Sequence, residues 1–111
     1  MGPPTVIDVQ VDVGYSSILV NRSPGVAGVW EMTPEELGLS EELSQRLTGW
    51  LDGWHVLSNR WINDLPETEG SRRAEEESGR ELVTLAFDVQ HALAPDVEVT
   101  LFGLPPGDHR R

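Results

Sequence analysis

Four tryptophans, three histidines and a run of three glutamates are the residues of this 111-residue chain whose chemistry has to be weighed first. Trp50 and Trp54 stand one helical turn apart, and Trp61 follows seven residues later on nearly the same face; Trp30 lies upstream. A regular stripe at that spacing faces a core. Exposed, the same indoles would anchor a partner, because tryptophan is favoured at interface hot spots. Four indoles strain the capacity of so small a domain, so one or two are expected at the surface. The candidate binding residues are therefore Trp30, Trp54 and Trp61, with Glu75, Glu76 and Glu77 as acidic neighbours for a basic partner. Stacking on single-stranded nucleic acid would need basic residues interleaved with the rings. The neighbours are instead Glu41, Glu42 and Asp52.

His55, His91 and His109 form no HxH, HxxH or HExxH pair. His55 and Asp52 share a helical face by spacing, but two groups are an incomplete metal site. Glu75-Glu76-Glu77 reads as a solvated helix face. A glycosidase-type carboxylate pair needs a cleft and a raised pKa, which a short helical hairpin does not readily supply. Gly25-Val26-Ala27-Gly28 lacks the lysine and following helix of a phosphate-binding loop. Ser16, Ser17, Ser40 and Ser71 sit in no GxSxG context. Cysteine is absent, which removes disulfides, thiolate catalysis and Cys-based metal sites. The expectation is no enzyme, no cofactor and no metal.

The elements that must position these residues follow from periodicity. Thr5 to Val13 alternates, with Ile7, Val9, Val11 and Val13 on one face and Asp8, Gln10 and Asp12 on the other, which predicts a half-buried strand. Ser17 to Val20 reads as a second strand, paired through Gly14-Tyr15-Ser16. Asn21 to Gly28 reads as loop. Thr33-Pro34-Glu35-Glu36 is a capped helical turn, with Met32 placed to staple onto Leu37 and Gly38 as its stop.

Ser40 caps a longer helix carrying Leu43, Leu47, Trp50, Leu51, Trp54, Leu57, Trp61 and Ile62, ended before Pro66. A second helix is expected from Ser71, with Ala74, Ser78, Leu82, Leu85, Ala86, Val89 and Leu93 inward. Its pairs Arg73–Glu77, Glu76–Arg80 and Glu77–Arg80 have helical-neighbour spacing. Gly79 in mid-helix suggests a tight crossing with the first helix. Val97 to Phe102 is the last strand, with Val97, Val99 and Leu101 inward.

The predicted fold is α+β, a two- or three-stranded sheet with a two-helix hairpin on one face, in the order β-β-α-α-β. The first and last strands should lie parallel and adjacent, with the second at an edge. One domain is expected over residues 1–111, with a core over 5–102 and a tail over 103–111 that frays.

Nineteen acidic residues against eight basic ones give a net charge of −11, and every basic residue is arginine. That field repels nucleic acid and anionic membrane surfaces, so neither is an expected partner. Met1-Gly2-Pro3-Pro4 has no basic n-region and no apolar h-region, which makes the cytoplasm the expected location. The all-arginine usage hints at a GC-rich genome.

The stretches Thr33-Pro34-Glu35-Glu36-Leu37-Gly38-Leu39-Ser40-Glu41-Glu42-Leu43, Leu47 with Trp50, Gly79-Arg80-Glu81-Leu82 and Leu93-Ala94-Pro95-Asp96-Val97-Glu98-Val99 carry a resemblance. Over residues 28–102 the chain resembles small acidic actinobacterial proteins of unknown function. The resemblance implies a proline-capped turn, a Trp-bearing helix, a Gly-containing helix and a final strand in a bacterial cytoplasmic protein. It implies no catalytic residues. Two functions fit: a protein-binding module, such as an immunity-protein or antitoxin-like inhibitor of a basic partner, or a structural, self-associating protein that forms homodimers.

Overall fold

A computed structural model describes residues 4–109. In strand β1 (Val6–Val9) the alternation turns Ile7 and Val9 into the core and Asp8 to the opposite face. It pairs antiparallel with β2 (Leu19–Asn21) and parallel with β4 (Glu98–Leu101). A parallel neighbour needs a long crossover. Here that connection includes two helices, α1 (Glu41–Ile62) and α2 (Glu69–Leu93). The α+β class, the hairpin of helices and the adjacency of first and last strands are as the sequence reading expects.

The sheet has four strands, not two or three, in the order β3-β2-β1-β4. The extra strand, β3 (Glu31–Met32), pairs with Leu19 and Val20 and takes the edge position expected for β2. Two residues display no periodicity, so its formation depends on its neighbours. Glu31 supplies part of that support: its Oε1 accepts the Ser16 and Ser17 amides at 2.6 and 2.8 Å.

β1 is shorter than the alternation suggests. It stops at Val9, and Val13 is exposed rather than inward. Its partner β4 ends at Leu101, so the ladder has nothing to pair with further on. Beyond it, Gln10 N–H still donates to the Ile18 carbonyl, and Gly14 turns the chain at φ +89°.

The capped turn forms as expected. Thr33 Oγ1 accepts from the Glu36 amide, and Glu36 Oε1 accepts from the Thr33 amide. Ser40 caps α1 through the Leu43 amide. The second helix starts earlier than Ser71: Thr68 is the cap, and Ser71 is the third helical residue that completes the reciprocal box. Among the described residues Arg73 lies against Glu69 at 3.8 Å, and not against Glu77 as its spacing allowed. The helices are tied at their sheet-proximal ends by Arg46–Asp88 at 2.8 Å.

The core combines Ile7, Val9, Ile18, Leu19, Val99 and Leu101 from the sheet with Leu43, Leu47, Trp50 and Leu51 from α1 and Leu82, Leu85, Ala86 and Val89 from α2. The last buried residue of α1 is Ser58 and the first of α2 is Leu82; none between 59 and 81 is buried. The hairpin therefore overhangs the sheet, and the molecule measures 46 × 28 × 26 Å.

The segment expected to fray is partly structured. Leu101 and Leu104 exchange amide hydrogen bonds, Pro106 is fully buried, and Pro106–His109 forms a 3-10 turn. Arg110 and Arg111 lie outside the described residues. No helix among the described residues is long and apolar enough to cross a membrane.

Candidate functional site

Two hollows compete as the working surface. The larger, about 430 Å³, lies on the sheet face away from the helices and is lined by Val6, Asp8, Gln10, Arg22, Glu98, Thr100, Phe102 and Gly103. Asp8 is its one buried carboxylate. Its Oδ1 accepts from the Thr100 hydroxyl, directly opposite in register, and from the Gly103 amide at 2.8 Å. That oxygen pins β4 and the following turn to β1. With Oδ1 committed to the fold, Asp8 serves as a brace.

The second hollow, about 190 Å³, lies where the overhang begins. It is lined by Val11, Trp50, Trp54, Leu57, Trp61, Glu75, Ser78, Gly79, Leu82 and Phe102. Glu75 and Ser78 are its polar side chains; the others are apolar or glycine. Trp50 is buried, and its Nε1–H donates to the Ser78 carbonyl at 2.8 Å, tying the helices together. Trp54 is half-buried and meets Trp61 edge-on, with centroids 6.1 Å apart and planes at 78°. Trp61 is 54% exposed, and its Nε1–H donates to Glu75 Oε1 at 2.7 Å. This bond crosses from α1 to α2 and fixes the outer indole against a carboxylate.

Phe102 enters from the sheet. It is a non-glycine residue at φ +51°, a conformation that costs an L-residue roughly 1–2 kcal/mol. The conformation is held from both sides. The Phe102 N–H donates to the Val9 carbonyl at 3.0 Å, and the next amide, Gly103 N–H, goes to Asp8. The Asp8 brace thus holds Phe102 where it lines the same hollow as the indoles.

The candidate residues separate in the structure. Trp54, Trp61 and Glu75 converge on the smaller hollow. Trp30 is exposed but belongs to the edge of the sheet, where its carbonyl accepts the Asn21 amide. Glu77 lines a different groove on the hairpin, with Gly49, Gly53 and Ala74, and Glu76 is exposed. Successive residues on a helix point about 100° apart, which distributes the three glutamates over separate directions.

Gly79 also needs correcting. A Cβ built on it would meet nothing within 4 Å, and the same is true of Gly49 and Gly53. These glycines mark open space beside the helices and no tight crossing. Phe102 and Gly79 were not candidates from the sequence. The sequence marks Gly79 only as a mid-helix glycine that suggests a tight crossing, and Phe102 only as the end of a strand.

His55 Nε2 lies 3.1 Å from the Tyr15 carbonyl, and its ring meets Trp54 edge-on. His91 is exposed in the last turn of α2. His109 falls in the 3-10 turn, and its side chain lies outside the described ones. Among the described residues no three His, Asp or Glu side chains converge as metal ligands would. Compared with known protein families, with curated proteins and with solved structures, the chain matches none.

Proposed function

We propose that this chain is a protein-binding module, in the manner of an immunity-protein or antitoxin-like inhibitor, that docks a basic partner on the overhanging end of its helical hairpin. The observation that carries the reading is the pairing of exposed Trp61 with Glu75 on a stretch where no residue is buried. A solvated helix end has no need of a large indole held in place by a carboxylate, whereas an interface benefits from a pre-oriented aromatic anchor. The net charge favours a cationic surface and speeds its approach. It also opposes self-association, because two copies bring the same sign together. The reading implies a cytoplasmic protein without catalytic activity.

The test starts from capture in a native lysate at low salt, followed by rebinding of the purified partner. The expected partner is basic and binds at least tenfold more weakly at 300 mM than at 50 mM salt. Trp61→Ala should weaken it by a similar factor. Failure to rebind any basic protein at low salt would overturn the proposal. Light scattering should show a monomer; a dimer that buries the tryptophans would favour the homodimer instead.

A further inference from the structure

The hollow at the start of the overhang has an unusual composition for a surface depression: aromatic side chains, one carboxylate and, among the described residues, no cation. We infer that it is a receptor for a single arginine side chain, presented by the basic partner. The inference rests on the reading above and names the chemical group that the partner would insert.

Three features select that group. Trp54, Trp61 and Phe102 line the pocket, and aromatic faces attract cations through their quadrupoles, tryptophan most strongly. Glu75 stands beside them with Oε1 committed to Trp61, and its second oxygen makes no hydrogen bond among the described residues. The volume of about 190 Å³ corresponds to roughly six waters at ~30 Å³ each, room for a guanidinium and part of its stem.

Arginine fits this combination better than lysine. Its planar guanidinium stacks on aromatic faces, is more weakly hydrated than an ammonium, and directs its donors in a fork toward a carboxylate. A lysine head needs several acceptors to replace its water, and Glu75 is the one carboxylate that lines the pocket.

Among the described residues no arginine lines this pocket. Of the four on the overhang, Arg60 donates to the Pro66 carbonyl, Arg72 pairs with Glu67 and Arg73 with Glu69, while the exposed Arg80 makes no ion pair among the described residues. Between residues 59 and 81 seven carboxylates (Asp64, Glu67, Glu69, Glu75, Glu76, Glu77 and Glu81) face four arginines (Arg60, Arg72, Arg73 and Arg80). The local excess is therefore negative. Phe102 adds an independent sign: its left-handed backbone is maintained by two hydrogen bonds while its ring is left half in solvent. Strain of that kind concentrates at ligand-binding sites.

The experiment follows the indole N–H resonances of ¹⁵N-labelled protein during titration with acetyl-Gly-Arg-Gly-amide. Trp30, outside the pocket, is the internal control. Trp54 and Trp61 should shift saturably and Trp30 should not. The citrulline peptide, a neutral isostere, should bind at least tenfold more weakly, and the lysine peptide at least threefold more weakly. Glu75→Gln should weaken arginine binding at least fivefold with an unchanged melting temperature, since the residue is only half-buried. Equal binding of citrulline or lysine would overturn the inference, as would equal shifts of all four indoles. The two proposals fail separately. A basic partner that binds Trp61→Ala more weakly but Glu75→Gln as tightly as the parent protein removes the arginine pocket and leaves the module. Saturable arginine binding by a chain that rebinds no basic protein removes the module and leaves the pocket.

Discussion

The half of the helical hairpin that lies on the sheet and the half that overhangs it differ in what their side chains meet. On the sheet, Leu43, Leu47 and Leu51 of α1 and Leu82, Leu85 and Val89 of α2 are buried against strand residues. In the overhang the apolar residues Trp61, Ile62 and Leu65 are more than half exposed. Periodicity is similar in both halves, so helix formation does not distinguish them. The boundary is set by the sheet, whose four strands are only two to four residues long. Helices of 22 and 25 residues run about 33 and 37 Å at 1.5 Å per residue, far beyond such strands. The proximal half is thus committed to stability, while the distal half is free to present a surface.

The strongest way to break that comparison is by truncation in each half. Leu85→Ala empties a fully buried site and should cost ~3 kcal/mol, within the 2–5 usual for such cavities. Ile62→Ala should change stability by less than ~0.5 kcal/mol, as exposed substitutions do. Urea unfolding of both variants measures this directly. Similar losses would mean that the overhang is packed against something, in solution, that covers Ile62.

Asp8 offers the next largest effect. Asp8→Ala removes the acceptor of the Gly103 amide and the Thr100 hydroxyl, and a hydrogen bond to a charged group contributes about 1.5–3 kcal/mol. Because the Gly103 bond also holds the turn at Phe102, the variant should release that ring. Arginine-peptide binding should fall along with the melting temperature. A loss of stability with binding intact would separate the brace from the pocket.

How much of this was legible in the sequence follows the same division. The core positions of both helices could be read because burial imposes a period on them. The caps at Ser40 and Thr33 could be read because their bonding is local. Strand β3 could not: two residues, Glu31 and Met32, carry no period, and their pairing depends on β2 across a loop. Val13 was misplaced because alternation marks which residues can form a strand, while the length of the partner decides which do. The pocket was half legible. Trp54, Trp61 and Glu75 were candidates by type, and Trp61 to Glu75 is a contact across 14 residues that a helical hairpin makes natural. Phe102 reaches it only through tertiary connections.

Trp50 marks the border between the halves, and its indole bond to the Ser78 carbonyl is the last tie before the overhang. Trp50→Phe removes the donor while keeping an aromatic ring. The loss should be about 1 kcal/mol, the usual net value of one hydrogen bond. Amide hydrogen exchange should show the effect concentrated in residues 54–81, with strands β1 and β4 protected as before. Uniformly faster exchange would indicate that the hairpin opens as one unit.

The smallest effects come from glycine and separate stability from binding. Gly53 and Gly79 both lie in helix interiors with open space where a Cβ would stand. Replacing either by alanine removes backbone freedom from the unfolded chain without introducing a clash, so each should stabilise by about 0.5–1 kcal/mol. Thermal melts of the single variants would register the gain. The two positions differ in what lies beside them: Gly79 lines the Trp61 pocket, whereas Gly53 lines the groove that contains Glu77. Gly79→Ala should therefore weaken arginine-peptide binding while raising the melting temperature, and Gly53→Ala should raise the melting temperature alone. If both variants bind the peptide as tightly as the parent chain, Gly79 is a weak point of the helix and not a device that keeps the pocket open.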